Sequence, residues 1–227
     1  MKETKPVVQV NLQTNILGAN ELIARKNRVS FKSQGILVIN LMSSPGSGKT
    51  TILERTIERL GEQVKIAVIE GDLYTDRDAQ RIEQKGVQVI QINTEGTCHL
   101  DAGMVTSAYE KIDKADLDLL FIENVGNLVC PAEFDLGEDF RVVVISTTEG
   151  NDKIPKYPLI FHEAKAVLVN KVDLLPYTEF NLQECQEDLE KINPSAQVFP
   201  LSGRTGEGIE IWCEWLLGEV RAKGRNS

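Results

Sequence analysis

From residue 36 onward the chain repeats one phrase. A short apolar run is followed by a polar, often glycine-bearing turn and then by apolar positions at helical spacing. The apolar runs fall at 36–41, 65–70, 87–92, 117–123, 141–146, 166–170 and 197–201. Their apolarity is continuous rather than alternating, which is the pattern of strands buried on both faces. Helical stretches lie between several of them, at 50–60, 76–85, 100–112, 181–191 and 209–219. Alternation of this kind predicts an α/β fold, a mostly parallel sheet with helices on both faces. Ahead of it, residues 15–33 read as a helix with apolar positions at Ile16, Leu17, Leu22, Ile23 and Val29. The expected division is an N-terminal helical arm over 1–34, one α/β domain over 35–221 and a flexible tail over 222–227. In a parallel sheet the loops leaving the carboxyl ends of the strands share one edge, and ligands bind there. Segments 43–50, 71–78, 93–99, 123–130, 147–153, 170–173 and 202–204 should therefore converge.

Composition narrows the function classes. The 227 residues suit one sizeable domain with a short arm, and a 41% hydrophobic, 26% charged make-up is ordinary for a globular chain. The formal charge of −9 argues against nucleic acid as the main partner. No apolar run is long enough to span a bilayer, and the first residues lack the apolar stretch of a secretory signal, so a cytoplasmic protein is expected. The four cysteines are then expected to be reduced. Cys185 and Cys213 fall in helical patterns and read as small apolar fillers, whereas Cys98 and Cys130 fall in the loops of the ligand edge.

The first of those loops runs Ser43-Ser44-Pro45-Gly46-Ser47-Gly48-Lys49-Thr50-Thr51, after an apolar run and before a helical one. This is a phosphate-binding loop of the Walker A type, with Ser43 where the usual pattern has its first glycine. Gly46 and Gly48 let the backbone wrap round phosphate oxygens. The amides at the helix start favour the anion, Lys49 reaches the β- and γ-phosphates, and the Thr50 hydroxyl can ligate Mg²⁺. Downstream, Asn170-Lys171-Val172-Asp173 ends another buried run and has the N-K-x-D form of guanine recognition. The Asp173 carboxylate can accept from the guanine N1–H and exocyclic amine, whereas adenine would leave it badly paired. Asn170 and Lys171 would brace the base and the phosphate loop. Ser202-Gly203-Arg204 follows the last run and resembles the final base-contacting loop of GTPases, with Arg204 where lysine is commoner.

Two acidic positions, Asp72 and Glu123, end apolar runs and can complete a magnesium site. Glu123-Asn124-Val125-Gly126 reads as an ExxG switch motif, in which Gly126 would offer its amide to the γ-phosphate. Asp76 and Asp78 can orient water or simply favour a helix start. No catalytic glutamine or arginine finger stands out, so slow intrinsic GTP hydrolysis is expected, accelerated by a partner or by dimerisation.

Adjacent Cys98 and His99, with Cys130 on another loop of the same edge, offer thiolate and imidazole donors suited to Zn²⁺ or Ni²⁺. Two buried cysteines and a capping histidine are the plainer reading of the same residues. Three soft donors do not close a tetrahedral site, so water, a carboxylate or a second copy of the chain must complete it. Cys130 lies seven residues after Glu123, a tether of at most roughly 25 Å, so nucleotide state can bias metal affinity through one segment.

Taken together, SSPGSGKTT, VIEGD with TDRDAQRI, GTCHLDAGMV, FIENVGNLVCPAEFDLGE, TTEGNDKIPKYP and NKVDLLP resemble the hydrogenase nickel-incorporation GTPases of the HypB family over nearly the whole chain from about residue 15. The resemblance implies a P-loop GTPase of the signal-recognition/MinD class that binds GTP and GDP with Mg²⁺ and assists nickel insertion into [NiFe]-hydrogenase. It implies a nucleotide- and metal-dependent homodimer, a HypA-type metallochaperone partner and a hydrogenase large-subunit precursor as client. It places the bridging metal ligands on Cys98, His99 and Cys130 and a GTP-dependent dimer contact on Lys153. The N-terminal CxxCGC motif and histidine-rich tract of some relatives are absent, and His162 reads as a helix residue. Two alternatives stand beside it. One is an accessory GTPase of the urease type, although that family carries Cys-Pro-His where this chain has Cys98-His99. The other is a non-catalytic metal carrier, against which the intact Lys49 and Thr50 argue.

Overall fold

The computed structural model describes residues 12–72 and 77–224. Seven parallel strands form one sheet: β1 (Leu37–Ser43), β2 (Ile66–Asp72), β3 (Gln88–Asn93), β4 (Leu119–Glu123), β5 (Phe140–Ser146), β6 (Ala164–Asn170) and β7 (Gln197–Pro200). Their order is β3-β2-β4-β1-β5-β6-β7, so β1 lies between β4 and β5. The helices are α1 (Leu12–Ser33), α2 (Lys49–Leu60), α3 (Arg77–Glu83), α4 (Ala102–Tyr109), α5 (Cys130–Glu133), α6 (Lys153–Lys156), α7 (Pro158–His162), α8 (Leu182–Ile192) and α9 (Ile209–Gly224). Each expected strand is present within three residues of its expected ends.

Strand residues alternate between two helical layers, as the pleat requires. Leu37, Ile39 and Leu41 of β1 point into a core shared with Ile52 and Ile57 of α2 and Trp212 and Leu216 of α9. Val38 points the other way, into a core with Phe31 of α1 and Val105 and Tyr109 of α4. Farther along that second face, Met42, Val143 and Val167 meet Phe161 of α7 and Cys185 and Leu189 of α8. Cys185 and Cys213 are indeed buried, and burial pushes both thiols up to about 11.

The leading helix forms, but on a face other than the one its apolar residues mark. Ile16, Leu22 and Val29 are 57%, 62% and 70% exposed. The buried stripe is Asn20, Ala24, Asn27 and Phe31, at helical spacing. Both asparagine amides are spent on backbone groups of neighbouring loops, which satisfies them without water. Phe31 packs edge-on against Tyr109 at 4.8 Å between ring centres. Beyond the expected elements, α5, α6 and α7 span only four, four and five residues, too short to leave a periodic signal. At the other end α9 continues to Gly224, through the first three residues assigned to a tail.

The loop after α5 returns under α1 through Gly137, whose φ is +93°. A Cβ there would lie 2.6 Å from the Ala24 carbonyl oxygen and 2.6 Å from Asn27 Cβ. We expect Gly137→Ala to destabilise the fold by at least ~1–3 kcal/mol from backbone strain alone, read as a lowered midpoint in thermal or urea unfolding. A wild-type midpoint would mean that α1 does not sit this close.

Candidate functional site

The phosphate loop occupies the β1–α2 junction. Gly46 and Gly48 take φ +75° and +99°, and a Cβ on Gly48 would lie 2.3 Å from Asn170 Nδ2. Ser43, standing where a glycine is usual, accepts a 2.7 Å hydrogen bond from Lys49 Nζ, while Ser47 donates to the Ser44 carbonyl at 2.9 Å. Burial lowers the Lys49 ammonium from its ordinary range, opposed by Glu123. Thr51 follows in α2 and accepts from Arg81 at 3.3 Å.

Residues 170–173 and 202–204 close on this loop from the β6–β7 side. Asn170 Nδ2 donates to the Ser47 carbonyl at 2.7 Å, and its Oδ1 accepts from Gly203 N at 3.0 Å. Lys171, at φ +63°, reaches the Gly46 carbonyl at 2.8 Å. Ser202 donates to Asp173 Oδ1 at 2.6 Å, fixing that carboxylate, and the Arg204 carbonyl accepts from Arg55. The expected guanine-binding residues thus form one bonded set with the phosphate loop.

A cavity of about 340 Å³ opens beside the loop, lined by Lys49, Thr50, Glu70, Asp72, Asp78, Arg81, Glu123 and Gly126 among others. On its floor Thr50 donates to Glu123 Oε1 at 2.9 Å, while Glu123 Oε2 and Glu70 Oε2 are buried without partners. Glu70, two residues before the end of β2, lies level with Glu123 at the end of the adjacent β4. Burial pushes Glu123 up to about 7, against the pull of Lys49 and Thr50. Burial and the nearby Glu123 push Glu70 up to about 8. Asp76 lies outside the described residues, and Asp78 opens α3 and pairs with Arg81 at 3.1 Å.

Cys98, His99 and Cys130 come together. Their donor atoms lie within 4.8 Å of one another, with the two sulfurs 2.9 Å apart. The plainer reading of two buried cysteines does not hold, because all three side chains are only half-buried. His99 stacks on Phe134 with ring centres 3.8 Å apart, and burial lowers the imidazole from its usual range, opposed by Asp101 and Glu133. The hydrogen bond with Cys98 raises the Cys130 thiol.

The segment 123–130 joins the two halves. A Cβ on Gly126 would lie 3.1 Å from Pro45 Cα, so this glycine rests on the phosphate loop. One residue on, Asn127 Nδ2 donates to the Cys98 carbonyl at 3.4 Å. Asn124 Oδ1 accepts from Leu100 N at 3.2 Å and from Val125 N at 3.0 Å. Lys153, which begins α6 after β5, is partly exposed, with its ammonium 5.9 Å from the Tyr157 ring centre. His162 ends α7 as a helix residue away from these clusters.

Sequence reasoning passed over Glu70, Arg81 and Asn124. Glu70 sits inside an apolar run, and its aim depends on the β2–β4 pairing. Arg81 bonds Glu54 at 2.6 Å from a helix pattern that marks no target. A larger cavity of about 830 Å³, between α1, α5 and the start of β5, is lined by mutually paired charges such as Arg28–Asp135 and Arg141–Glu138 and has no glycine-rich phosphate cradle.

A parallel sheet carrying a phosphate loop where β1 meets α2, with residues 170–173 and 202–204 bonded alongside it, defines a P-loop nucleotide-binding protein. Residues 37–200 match the family model described as CobW/HypB/UreG, nucleotide-binding domain. The chain is 51% identical over 216 residues to hydrogenase maturation factor HypB of Azotobacter chroococcum mcd 1, covering 95% of this chain and 71% of that protein. The crystal structure of HypB from Archaeoglobus fulgidus superposes with a TM-score of 0.84 at 41% identity, covering 89% of this chain and 99% of that one. HypB from Helicobacter pylori, solved in complex with nickel, gives a TM-score of 0.86 at 39% identity over 90% and 96% of the two chains. The chain therefore belongs to the HypB family of hydrogenase maturation factors.

The raised carboxylates give a pH prediction for the nucleotide-free protein. A glutamate whose folded pKa exceeds its unfolded value contributes stability below the unfolded pKa and loses it as pH rises through the folded one. Glu70, at about 8 against an ordinary 4.5, should therefore lower the melting temperature between about pH 5 and pH 8. We expect Glu70→Gln to flatten that slope, raising the melting temperature at the alkaline end and leaving the acid end near wild type. Parallel slopes in the two proteins, followed by scanning calorimetry, would show that Glu70 is not the source.

Proposed function

We propose that this chain is a GTP-hydrolysing switch that assists nickel insertion into [NiFe]-hydrogenase. The carrying observation is the segment 123–130, which ends a sheet strand at Glu123, touches the phosphate loop at Gly126 and delivers Cys130 to Cys98. In this reading the backbone of Gly46, Ser47, Gly48, Thr50 and Thr51 cradles the phosphates, and Lys49 exchanges Ser43 for the β- and γ-oxygens. Asn170, Lys171 and Asp173, with Ser202, Gly203 and Arg204, hold the guanine. Thr50, Asp72 and Glu123 would hold Mg²⁺, and the orphaned buried oxygens of Glu123 and Glu70 fit a cation. When bound, Mg²⁺ neutralises charge developing on the transferred phosphoryl group. Gly126 donates its amide to the γ-phosphate, and Asp76 orients the attacking water.

Cys98, His99 and Cys130 hold the cargo ion, nickel, with zinc as a competitor for the same donors. The HypB homologue from Helicobacter pylori crystallised with nickel, which supports the reading. Three protein donors leave room for a second chain, so GTP draws two copies together with Lys153 reaching the partner's nucleotide. A HypA-type metallochaperone and the hydrogenase large-subunit precursor are the protein partners of this cycle.

Turnover should require Mg²⁺ and GTP. Lys49→Ala should lower kcat/KM on the order of a hundredfold or more, the scale of losing a buried charge that faces the transition state. Asp173→Asn should weaken GTP and admit xanthosine triphosphate, whose base presents a carbonyl in place of the exocyclic amine. ATP turned over as well as GTP would overturn the base assignment. For the cargo site, nickel titrations with GDP and with a non-hydrolysable GTP analogue should give different affinities, and Cys130→Ala should abolish tight binding. Equal affinities in the two nucleotide states would remove the switch.

A further inference from the structure

The two segments that carry the thiol and imidazole donors come from different connections. Residues 98–102 follow β3, and residues 130–136 follow β4. Each is a short stretch of loop leading into or out of a helix, and neither holds the other by regular pairing. What spans them is the buried face of α1. Asn20 Oδ1 accepts from Ala102 N at 2.8 Å, and the same amide donates through Nδ2 to the Asp135 carbonyl at 2.7 Å. Two turns further along α1, Asn27 Nδ2 donates to the Ala102 carbonyl at 2.9 Å and to the Leu136 carbonyl at 3.0 Å, while its Oδ1 accepts from Thr106 at 2.8 Å. The two side chains are 7% and 6% exposed.

We propose that Asn20 and Asn27 are positioning residues of the cargo site, setting the spacing between the Cys98–His99 segment and the Cys130 segment. This rests on the reading that those three residues hold the ion. The residue type fits the task. An amide offers a donor and an acceptor on one rigid plane, so a single side chain can tie a backbone N–H of one loop to a carbonyl of the other. Burial of the helix does not by itself call for an amide here, whereas the loop N–H and carbonyl groups beneath it need partners once water is excluded, and these two side chains supply them. Ala102 lies three residues past His99, and Asp135 and Leu136 lie five and six past Cys130, so the bonds fix the backbone near the donors without touching them. Outer groups that orient ligands typically change metal affinity by about 10–100-fold when removed.

The test uses the full chain with Ni²⁺ as the probe, following the near-ultraviolet thiolate-to-nickel charge-transfer absorption alongside affinity. Asn20→Leu keeps the volume and removes both bonds. It should weaken nickel by about tenfold or more and shift or diminish the absorption band, with guanine nucleotide affinity unchanged. Asn20→Asp keeps the acceptor toward Ala102 and loses the donor toward Asp135. It should weaken nickel too, and it decides the matter if Asn20→Leu does not fold. Phe31→Leu loosens α1 at its far end, so it should lower the melting temperature while leaving nickel affinity and the band at wild-type values. Wild-type nickel behaviour in both Asn20 variants would overturn the proposal, as would an equal loss in Phe31→Leu at a matched drop in melting temperature. A wild-type protein with no charge-transfer band, indistinguishable from Cys130→Ala, would instead overturn the cargo-site reading beneath it.

Discussion

A carboxylate buried beside a lysine at the floor of the phosphate pocket is the constraint on which the rest of the molecule turns. Glu123 is 4% exposed, one oxygen held by the Thr50 hydroxyl at 2.9 Å and the other without a partner. Burying a carboxylate costs several kcal/mol unless charge and hydrogen bonds offset it. Lys49, buried nearby, supplies part of that offset, and Glu70 on the next strand works against it. The arrangement is tolerable only because β4 lies beside β1, with Glu123 level with Leu41 just before the phosphate loop. The partnerless oxygens of Glu123 and Glu70 leave negative charge on the floor only partly offset, which is what the proposed Mg²⁺ would meet there.

The same strand end runs directly into the thiol and imidazole cluster. Asn124 donates to Asn40 at 3.2 Å, and Asn40 donates to Glu138 at 3.3 Å. Glu138 accepts from Arg141 at 2.7 Å, and Arg141 donates to the carbonyls of Ala132 and Phe134, the segment that bears Cys130 and stacks on His99. Every link in this chain is buried. A buried hydrogen-bond chain cannot stretch gradually, because a half-broken link leaves an unsatisfied group that costs about 1–3 kcal/mol. It holds or it exchanges partners. That is the physical character that the proposed coupling between the nucleotide and metal sites would use.

What could be read from the sequence followed from local pattern. The strands were legible because burial on both faces leaves continuous apolar runs. Gly46, Gly48 and Lys49 stood out because a phosphate-binding loop has those residue types at those spacings, and Asp173 because it closes an N-K-x-D pattern. The residues that escaped notice owe their roles to distant neighbours. Glu70 looks like one polar interruption of an apolar run until β2 pairs with β4. Asn20 and Asn27 look like polar positions on a helix whose apolar stripe lies elsewhere, yet Leu22 and Val29 face solvent and the asparagines face the core. Helical periodicity of apolar residues assigns an amide to the solvent side, because the loop carbonyls that satisfy it lie about a hundred residues away in the chain. Cys98, His99 and Cys130 fell between these cases. Their chemistry was visible at once, whereas their convergence to within 4.8 Å depends on two loops meeting in space.

The way the cluster is held fits the cargo role proposed for it better than that of a resident structural metal site. A structural metal site ties its ligands down directly, with the second nitrogen of each histidine bonded to a carboxylate or carbonyl and four donors closing the shell. Here the bracing stops one step back. Asn20, Asn27 and Asn124 bond the backbone at residues 100, 102, 135 and 136, and Asn127 bonds the Cys98 carbonyl. Among the described residues, stacking on Phe134 rather than a hydrogen-bonded carboxylate sets the His99 ring. The loops are thus fixed relative to each other largely through their backbones. A scaffold of this kind suits the cargo role proposed for the cluster, because it sets the spacing of three donors from their backbones and does not close a four-donor shell.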